Sequence, residues 1–354
     1  MKKIKIIMST IFILMILVGC ATTNLVPPTA PQRQVAVQEI TGISAPAGSL
    51  ASQFAWLTRN VDSHNTYILT ATENETISPV ELNFSPATNV TIVLQGDTER
   101  RSIRVNSQTE PMITVRSNVT LVLNNNIHLL GHRRERGSMV RAEYGGHLVM
   151  NDGAIISGNN LSDPDWVSNR SSGAGVSLGA RATFVMNGGS IEQNSTTSRG
   201  GGVAIVFMHS TFTMNGGQII FNSAGIGGGL ADVHGQSTEF LMRGGIIAGN
   251  GASIAGGGVF INCGLGSRAT VRKTGGTIWG NVPGDENSNT VRDEEGILNR
   301  RGHAIFVGMV GSGFENQPTA RLETTSGPNA NISISPGQLD TRNRSSLIRG
   351  NWTN

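Results

Sequence analysis

The sequence predicts an all-β protein, a single-stranded right-handed parallel β-helix of roughly ten coils with a short N-terminal capping helix. Three observations predict it. One phrase recurs: Phe184-Val-Met-Asn-Gly-Gly-Ser-Ile191, Phe212-Thr-Met-Asn-Gly-Gly-Gln-Ile219 and Phe240-Leu-Met-Arg-Gly-Gly-Ile-Ile247, with weaker copies from Leu148 and Val271. Its period is fixed, with 28 residues from Gly189 to Gly217 and 28 again to Gly245. Each unit also divides into three short extended pieces separated by glycine or asparagine corners, a pattern that hairpins cannot produce but one turn of a solenoid can.

The chain begins with Lys2, Lys3 and Lys5, followed by an apolar run from Ile6 to Val18 that ends in Leu17-Val-Gly-Cys20. A basic start and a short apolar stretch predict a secretory signal over residues 1–19, too short to be kept as a membrane span. The Leu-x-Gly-Cys ending resembles a bacterial lipoprotein processing box. That resemblance implies Cys20 as the first mature residue, carrying lipid; cleavage with an unmodified Cys20 is the alternative. Several buried acyl chains at about 0.8 kcal/mol per methylene make such an anchor stable.

Removing the signal changes the charge. The whole chain has 27 basic and 24 acidic side chains, and residues 1–19 hold three lysines and no acid, which leaves 24 against 24. The basic character therefore belongs to the discarded segment and is no argument for nucleic acid. Cys263 is the one other cysteine, so a lipidated Cys20 leaves no intrachain disulfide, and stability must come from packing. Its alternation with Val259 and Ile261 predicts a small buried hydrophobe. Residues 20–49 carry Pro27, Pro28, Pro31 and Pro46 among Thr, Ala, Gln and Ser, which predicts a flexible tether.

The folded domain is expected over residues 50–354. Phe54 and Leu57 stand at helical spacing after Gly48-Ser49, predicting a short helix from Leu50 to Leu57 that covers the unpaired backbone of the first coil. Val90–Leu94, Met112–Val115, Val119–Leu123 and Met139–Ala142 read as early strands. In the regular units the expected columns are Phe184/Phe212/Phe240, Met186/Met214/Met242, Ile191/Ile219/Ile247/Ile278 and Val176/Val203/Leu230/Val259/Ile305, with like residues about 4.8 Å apart. Asn194, Asn222, Asn250 and Asn281 form a fifth column, whose amides satisfy corner backbone groups. Lys273 replaces Met in its column, and its ammonium is expected to reach water. Ile332-Ser-Ile334 and the segment to Trp352 are read as the last coil and its lid.

These residues carry a resemblance. The Met-Asn-Gly-Gly-x-Ile and Gly-Gly-Gly-Val pairs are similar to repeats of bacterial right-handed parallel β-helix surface proteins of the pectin-lyase-like superfamily, and to repeats of the chlamydial polymorphic outer-membrane proteins. Tyr67-Ile-Leu, Val90-Thr-Ile-Val-Leu-Gln-Gly and Val119-Thr-Leu-Val-Leu-Asn are similar to a set of spirochaete lipoproteins. The resemblance implies this fold over most of residues 50–310, and implies display or adhesion at the outer membrane.

Chemistry is sparser. Enzymes of this fold use clustered acids with calcium and a basic residue, or paired carboxylates on one coil face. Here Glu192, Asp232 and Glu239 stand one per region, while Gly131-His132-Arg133 and Arg301-Gly302-His303 are isolated. No catalytic residue is therefore assigned. Ten or eleven residues separate the two glycine groups of a regular unit, but 20 run from Gly153 to Gly173 and 26 from Gly276 to Gly302. Both insertions are expected at one corner, four coils apart. The first holds Asp163, Asp165 and Trp166; the second holds Asp285, Glu286, Asp293, Glu294 and Glu295. Loops on a rigid scaffold commonly carry binding residues, and these acids supply oxygen ligands of the kind calcium takes. Solvated insertions without a role are the alternative. Arg100, Arg101 and Arg104, then Arg133, Arg134, Arg136 and Arg141, read as solvated corners. The functional expectation is a lipid-anchored, non-enzymatic cell-envelope protein that contacts a glycan or a host or envelope protein. The alternative is a carbohydrate-active enzyme, a polysaccharide lyase or glycosidase.

Overall fold

The computed structural model describes residues 40–308, apart from 108, 136, 162–171, 234–236, 263–268, 281–285, 293–295 and 299–301, together with three short strands between residues 320 and 333. Two compact units divide the chain, Met1–Arg33 and Gln34–Asn354; the described residues belong to the second. The expected signal segment, Cys20 and most of the expected tether thus lie outside them, as does Cys263.

The second unit is a right-handed parallel β-helix built from four sheets. The first sheet stacks Thr66–Ala71, Val90–Gly96, Val119–Leu123, His147–Met150, Thr183–Met186, Thr211–Met214, Glu239–Met242 and Thr270–Lys273, one strand per winding. That makes eight windings rather than roughly ten, because the two insertions and the C-terminal segment use chain that the regular period would have assigned to coils. The second and third sheets stack the Ile-Ile and Val-containing strands of each unit. A short fourth sheet lies between them, running from Arg133–Glu135 to Thr290–Val291.

The expected columns form. Phe184 pairs in register with Phe212, and Phe212 with Phe240; their rings stack with centroids 4.7 and 5.2 Å apart and interplanar angles of 8° and 18°. Met186, Met214 and Met242 share the same registers. The isoleucine column runs through Ile191, Ile219, Ile247 and Ile278, and the third-sheet column from Val176 to Ile305 is likewise continuous. All of these side chains are buried in one cluster. Burying one such apolar side chain contributes about 1.5–3 kcal/mol.

The N-terminal end is covered as the sequence predicts, by helix Leu50–Asn60, which runs three residues further than Leu57. Ser49 caps it by accepting from the Ser52 N–H, and both carboxylate oxygens of Glu75 accept from the Leu50 N–H. Leu50, Phe54 and Leu57 face the core. Gln53 does more than pack: its amide donates to the Thr70 carbonyl and accepts from the Thr70 N–H. A side-chain amide thereby continues the edge pairing past strand Ile43–Ser44, which lies parallel to Tyr67 and Ile68.

Many corners are turned by a left-handed residue, and the space at the corner decides which residue serves. Between the fourth and third sheets the residue is always glycine: Gly173, Gly200, Gly227, Gly256 and Gly302. A Cβ on Gly227 would stand 2.4 Å from the Leu230 carbonyl oxygen, closer than any real contact, so only glycine fits. Between the third and first sheets the rule relaxes. There the left-handed position, three residues before the inward Ile92/Leu121/Leu148/Phe184/Phe212/Phe240 column, is occupied by Asn89, Asn118, Gly145, Arg181, His209 and Ser237, and His64 takes the same position before Tyr67 where the helix leads into the first sheet.

Three expectations need correction. The inner asparagine column runs Asn194, Asn222, Asn250 and Asn289, because Asn250 donates to the Asn289 side-chain oxygen 3.0 Å away; Asn281 lies outside the described residues. The insertion displaces the corner residue by eight positions. Lys273 does not reach water: it is 3% exposed, in register below Met242, and burial pushes its pKa down. The C-terminal segment does not add a parallel coil. Ala320–Leu322, Thr325–Ser326 and Asn331–Ser333 pair antiparallel with the last strands of the third, second and first sheets in turn, a counter-running turn that occupies their edges.

Lys273 yields a prediction. A folded state that disfavours the ammonium binds fewer protons than the unfolded chain, so stability rises with pH from the depressed folded pKa toward the ordinary lysine value. Lys273→Met restores the methionine column, and is expected to stabilise the protein by about 1–3 kcal/mol at neutral pH. Urea midpoints at pH 7 and pH 10 check this, and the gain should shrink at the higher pH.

Candidate functional site

The acidic insertions come first. Asp163, Asp165, Trp166, Asp285, Asp293, Glu294 and Glu295 lie outside the described residues, whereas Glu286 is described and exposed. Thr290 pairs with Gly251 and Val291 with Ala252, which divides the second insertion in two. Residues 280–289 precede the fourth-sheet strand, and the Asn287 carbonyl accepts from the Gly249 N–H at 2.7 Å. Residues 293–301 follow that strand. The first insertion also follows its fourth-sheet strand, Asn160–Leu161. The expectation of a single shared edge therefore fails for Glu286, which precedes its fourth-sheet strand at the corner between the second and fourth sheets; the remaining acids of both insertions lie outside the described residues. Among the described residues no group of three or more His, Cys, Asp or Glu side chains could hold a metal ion.

The outer face of the second sheet carries a serine–histidine chain. His128 Nε2 lies 2.7 Å from Ser157 Oγ, and Nδ1 lies 3.3 Å from Ser102 Oγ, so one ring bridges three windings. Burial first, then the Arg100 and Arg104 charges, hold its pKa below the usual histidine range, with Glu192 acting the other way. Such a pair resembles an activated nucleophile, but its setting is wrong for one. The second ring nitrogen faces a hydroxyl rather than a carboxylate. The backbone of Ile155–Ser157 is paired in parallel ladders on both sides, which leaves no convergent N–H pair for an oxyanion. This chain therefore works as a rung-to-rung tie.

A second amide column, missed in the sequence, runs along the corner between the first and second sheets. Asn215, Asn187, Asn151 and Asn124 each donate to the amide oxygen of the preceding winding, ending on Gln95 and Thr70. The Asn of each Met-Asn-Gly-Gly phrase thus does more than start a turn. Nor are the arginines all free: Arg101 binds Asp97 at 2.7 Å and Glu99 at 3.2 Å.

The strongest candidate is the corner between the third and first sheets. Its backbone is constant while its side chains vary, the reverse of the glycine corners. No interior packing fixes those side chains: a Cβ on Gly145 would meet nothing within 4 Å. Tyr144, Phe207 and Met208, three of the large apolar side chains exposed among the described residues, gather on this corner. A shallow cavity of about 280 Å³ is lined by Tyr144, Ala180, Arg181, Met208 and His209. Tyr144 is 66% exposed, and the Arg116 guanidinium sits 5.5 Å from its ring centre. Arg116 is held in turn by Glu81 at 2.9 Å and Glu143 at 2.6 Å. The Gly145 N–H donates to the Ala180 carbonyl and the Arg181 N–H to the Met208 carbonyl, each at 3.1 Å. Three consecutive windings are thereby locked in step, and the site rests on rigid backbone.

Sequence reasoning missed this corner because no repeated residue marks it; the signal is the offset of three residues before each inward aromatic or aliphatic. No protein-family profile, curated protein or solved structure matches the chain.

Proposed function

We propose that this chain is a lipid-anchored cell-envelope protein, held at the outer membrane through Cys20, whose β-helix is a non-enzymatic scaffold for surface display or adhesion. One observation carries the reading: at six third-to-first-sheet corners, from Asn89 to Ser237, the left-handed backbone conformation is kept while its side chain changes among Asn, Gly, Arg, His and Ser. Packing imposes uniformity on a column, as it does on the glycines and the inner asparagines. A column that escapes uniformity at fixed geometry is free to be shaped by a partner. The glycan or host or envelope protein expected as that partner would meet a rigid edge and lose little freedom of its own on binding. The enzyme alternative has no comparable support among the described residues, since the His128 ring and its two serines lack convergent oxyanion donors.

Labelling with a palmitate analogue tests the anchor: wild-type protein is expected to take the label, and Cys20→Ser to lose it while keeping its fold. Protease added to intact cells tests display. The domain is expected to be trimmed from the surface; its complete protection, with cleavage after lysis, would overturn the display reading.

A further inference from the structure

We infer that the cavity bounded by Tyr144, Arg181 and His209 binds a sugar phosphate, either free or as the headgroup of a glycolipid. This rests on the binding role given above to the same corner, and names its ligand class.

Three side chains from consecutive windings each match one part of that ligand. The exposed Tyr144 ring offers an apolar face to the carbon–hydrogen face of a pyranose. Its position is set by Arg116, whose charge is already answered by Glu81 and Glu143, so Arg116 fixes the platform without adding net attraction. Arg181, one winding further on, is exposed and makes no ion pair among the described residues. A planar guanidinium binds phosphate through two parallel N–H groups. His209, on the next winding and also exposed, adds a ring N–H donor. The three rungs are spaced by about 4.8 Å each, a reach suited to one ring and its substituent.

The floor is open because small residues make it. Ala180 lines the cavity, a Cβ on neighbouring Gly145 would meet nothing within 4 Å, and the volume of about 280 Å³ lies at the small end of ligand clefts. A neutral sugar would leave the Arg181 charge unanswered. Inorganic phosphate would leave Tyr144 and Met208 without contact. Only a ligand with both parts uses the whole site.

Calorimetric titration of the purified full chain in detergent, with glucose 6-phosphate, glucose, glucuronic acid and inorganic phosphate, tests the site, alongside sedimentation of the Cys20→Ser chain, which has no lipid of its own, with vesicles carrying lipid A. Glucose 6-phosphate is expected to bind saturably and at least tenfold more tightly than the other three. Arg181→Ala and Tyr144→Ala should each weaken it tenfold or more with unchanged circular dichroism, and added salt should weaken it as well. Retention on lipid A vesicles without measurable affinity for glucose 6-phosphate, if lost in Arg181→Ala, supports the site and identifies the headgroup as source. Equal affinity for inorganic phosphate or glucuronic acid, binding unchanged in Arg181→Ala, or no binding in either format overturns the inference. Since purified protein is used, that failure would leave anchoring and display standing, and loss of either would leave this site standing.

Discussion

Replacing Gly228 with valine is expected to cost about 4–5 kcal/mol or more and to split unfolding into two transitions. The first methyl-bearing carbon alone would lie 2.3 Å from the Gly251 carbonyl oxygen and 2.6 Å from that of Gly257. Both oxygens belong to the following winding, and both are backbone, so neither can swing aside. The windings would have to separate, which stretches the Gly228 N–H bond to Gly256 and the Gly229 N–H bond to Gly257, 3.0 and 3.1 Å long. In a stack where each unit touches only its neighbours, weakening one interface uncouples the two halves. Urea unfolding followed by tryptophan and tyrosine fluorescence should therefore lose its single transition. Gly145→Ala provides the contrast: the added carbon meets nothing, and only the left-handed backbone penalty of about 1–2 kcal/mol remains. Equal costs at the two positions would refute the steric account of the glycine corners.

Asn222→Ala is expected to cost about 3–5 kcal/mol. Its amide is 1% exposed and fully engaged. The oxygen accepts from the Asn194 backbone N–H at 3.0 Å and the Asn194 amide at 3.1 Å. The nitrogen shares two N–H groups among the Ile191 and Ile220 carbonyls and the Asn250 oxygen. Truncation leaves a buried N–H and carbonyls without partners, at about 1–3 kcal/mol for each group. Asn222→Asp separates the parts of this account. It keeps the acceptor for Asn194 but turns an oxygen toward three other oxygens, so it should be no more stable than the alanine variant. Thermal melts showing either variant within about 0.5 kcal/mol of wild type would mean that the column is ornamental to stability.

The fold was legible wherever stacking demands identity. Phe212 must resemble Phe184 and Phe240 because the three rings lie in one column, and a fixed period exposes that demand without any alignment. Legibility failed where geometry repeats and chemistry does not. His64, Arg181 and Ser237 share a conformation and nothing else, so the corner carrying the candidate site left no mark in the text of the chain. Asn289 escaped because the insertion ahead of it hid the register; only the pairing of Val291 with Ala252 restores it. The reversal of direction in the final strands was equally silent, since the alternation of Ile332, Ser333 and Ile334 reads the same in either sense. Lys273 was placed in the right column and given the wrong environment: a last coil was expected, but not the antiparallel strand Asn331–Ser333 lying directly on the strand that carries Lys273.

The two amide columns differ in one respect that bears on long-range electrostatics. The outer one passes its side-chain bonds toward the N-terminal end, from Asn215 back to Thr70; the inner one passes its amide-to-amide bonds the opposite way, from Asn194 on to Asn289, while each inner amide also donates back to a carbonyl of the preceding winding, Ile156, Ile191, Ile219 and Ile247 in turn. Only the outer column is a string of dipoles aligned in one sense, since sheet backbones themselves add little. The inner amides bond to both neighbouring windings, so their column presents no counterpart of the positive pole that an α-helix carries at its start. An ion approaching that column meets paired groups, and a charged visitor is attracted instead by individual side chains along the flank.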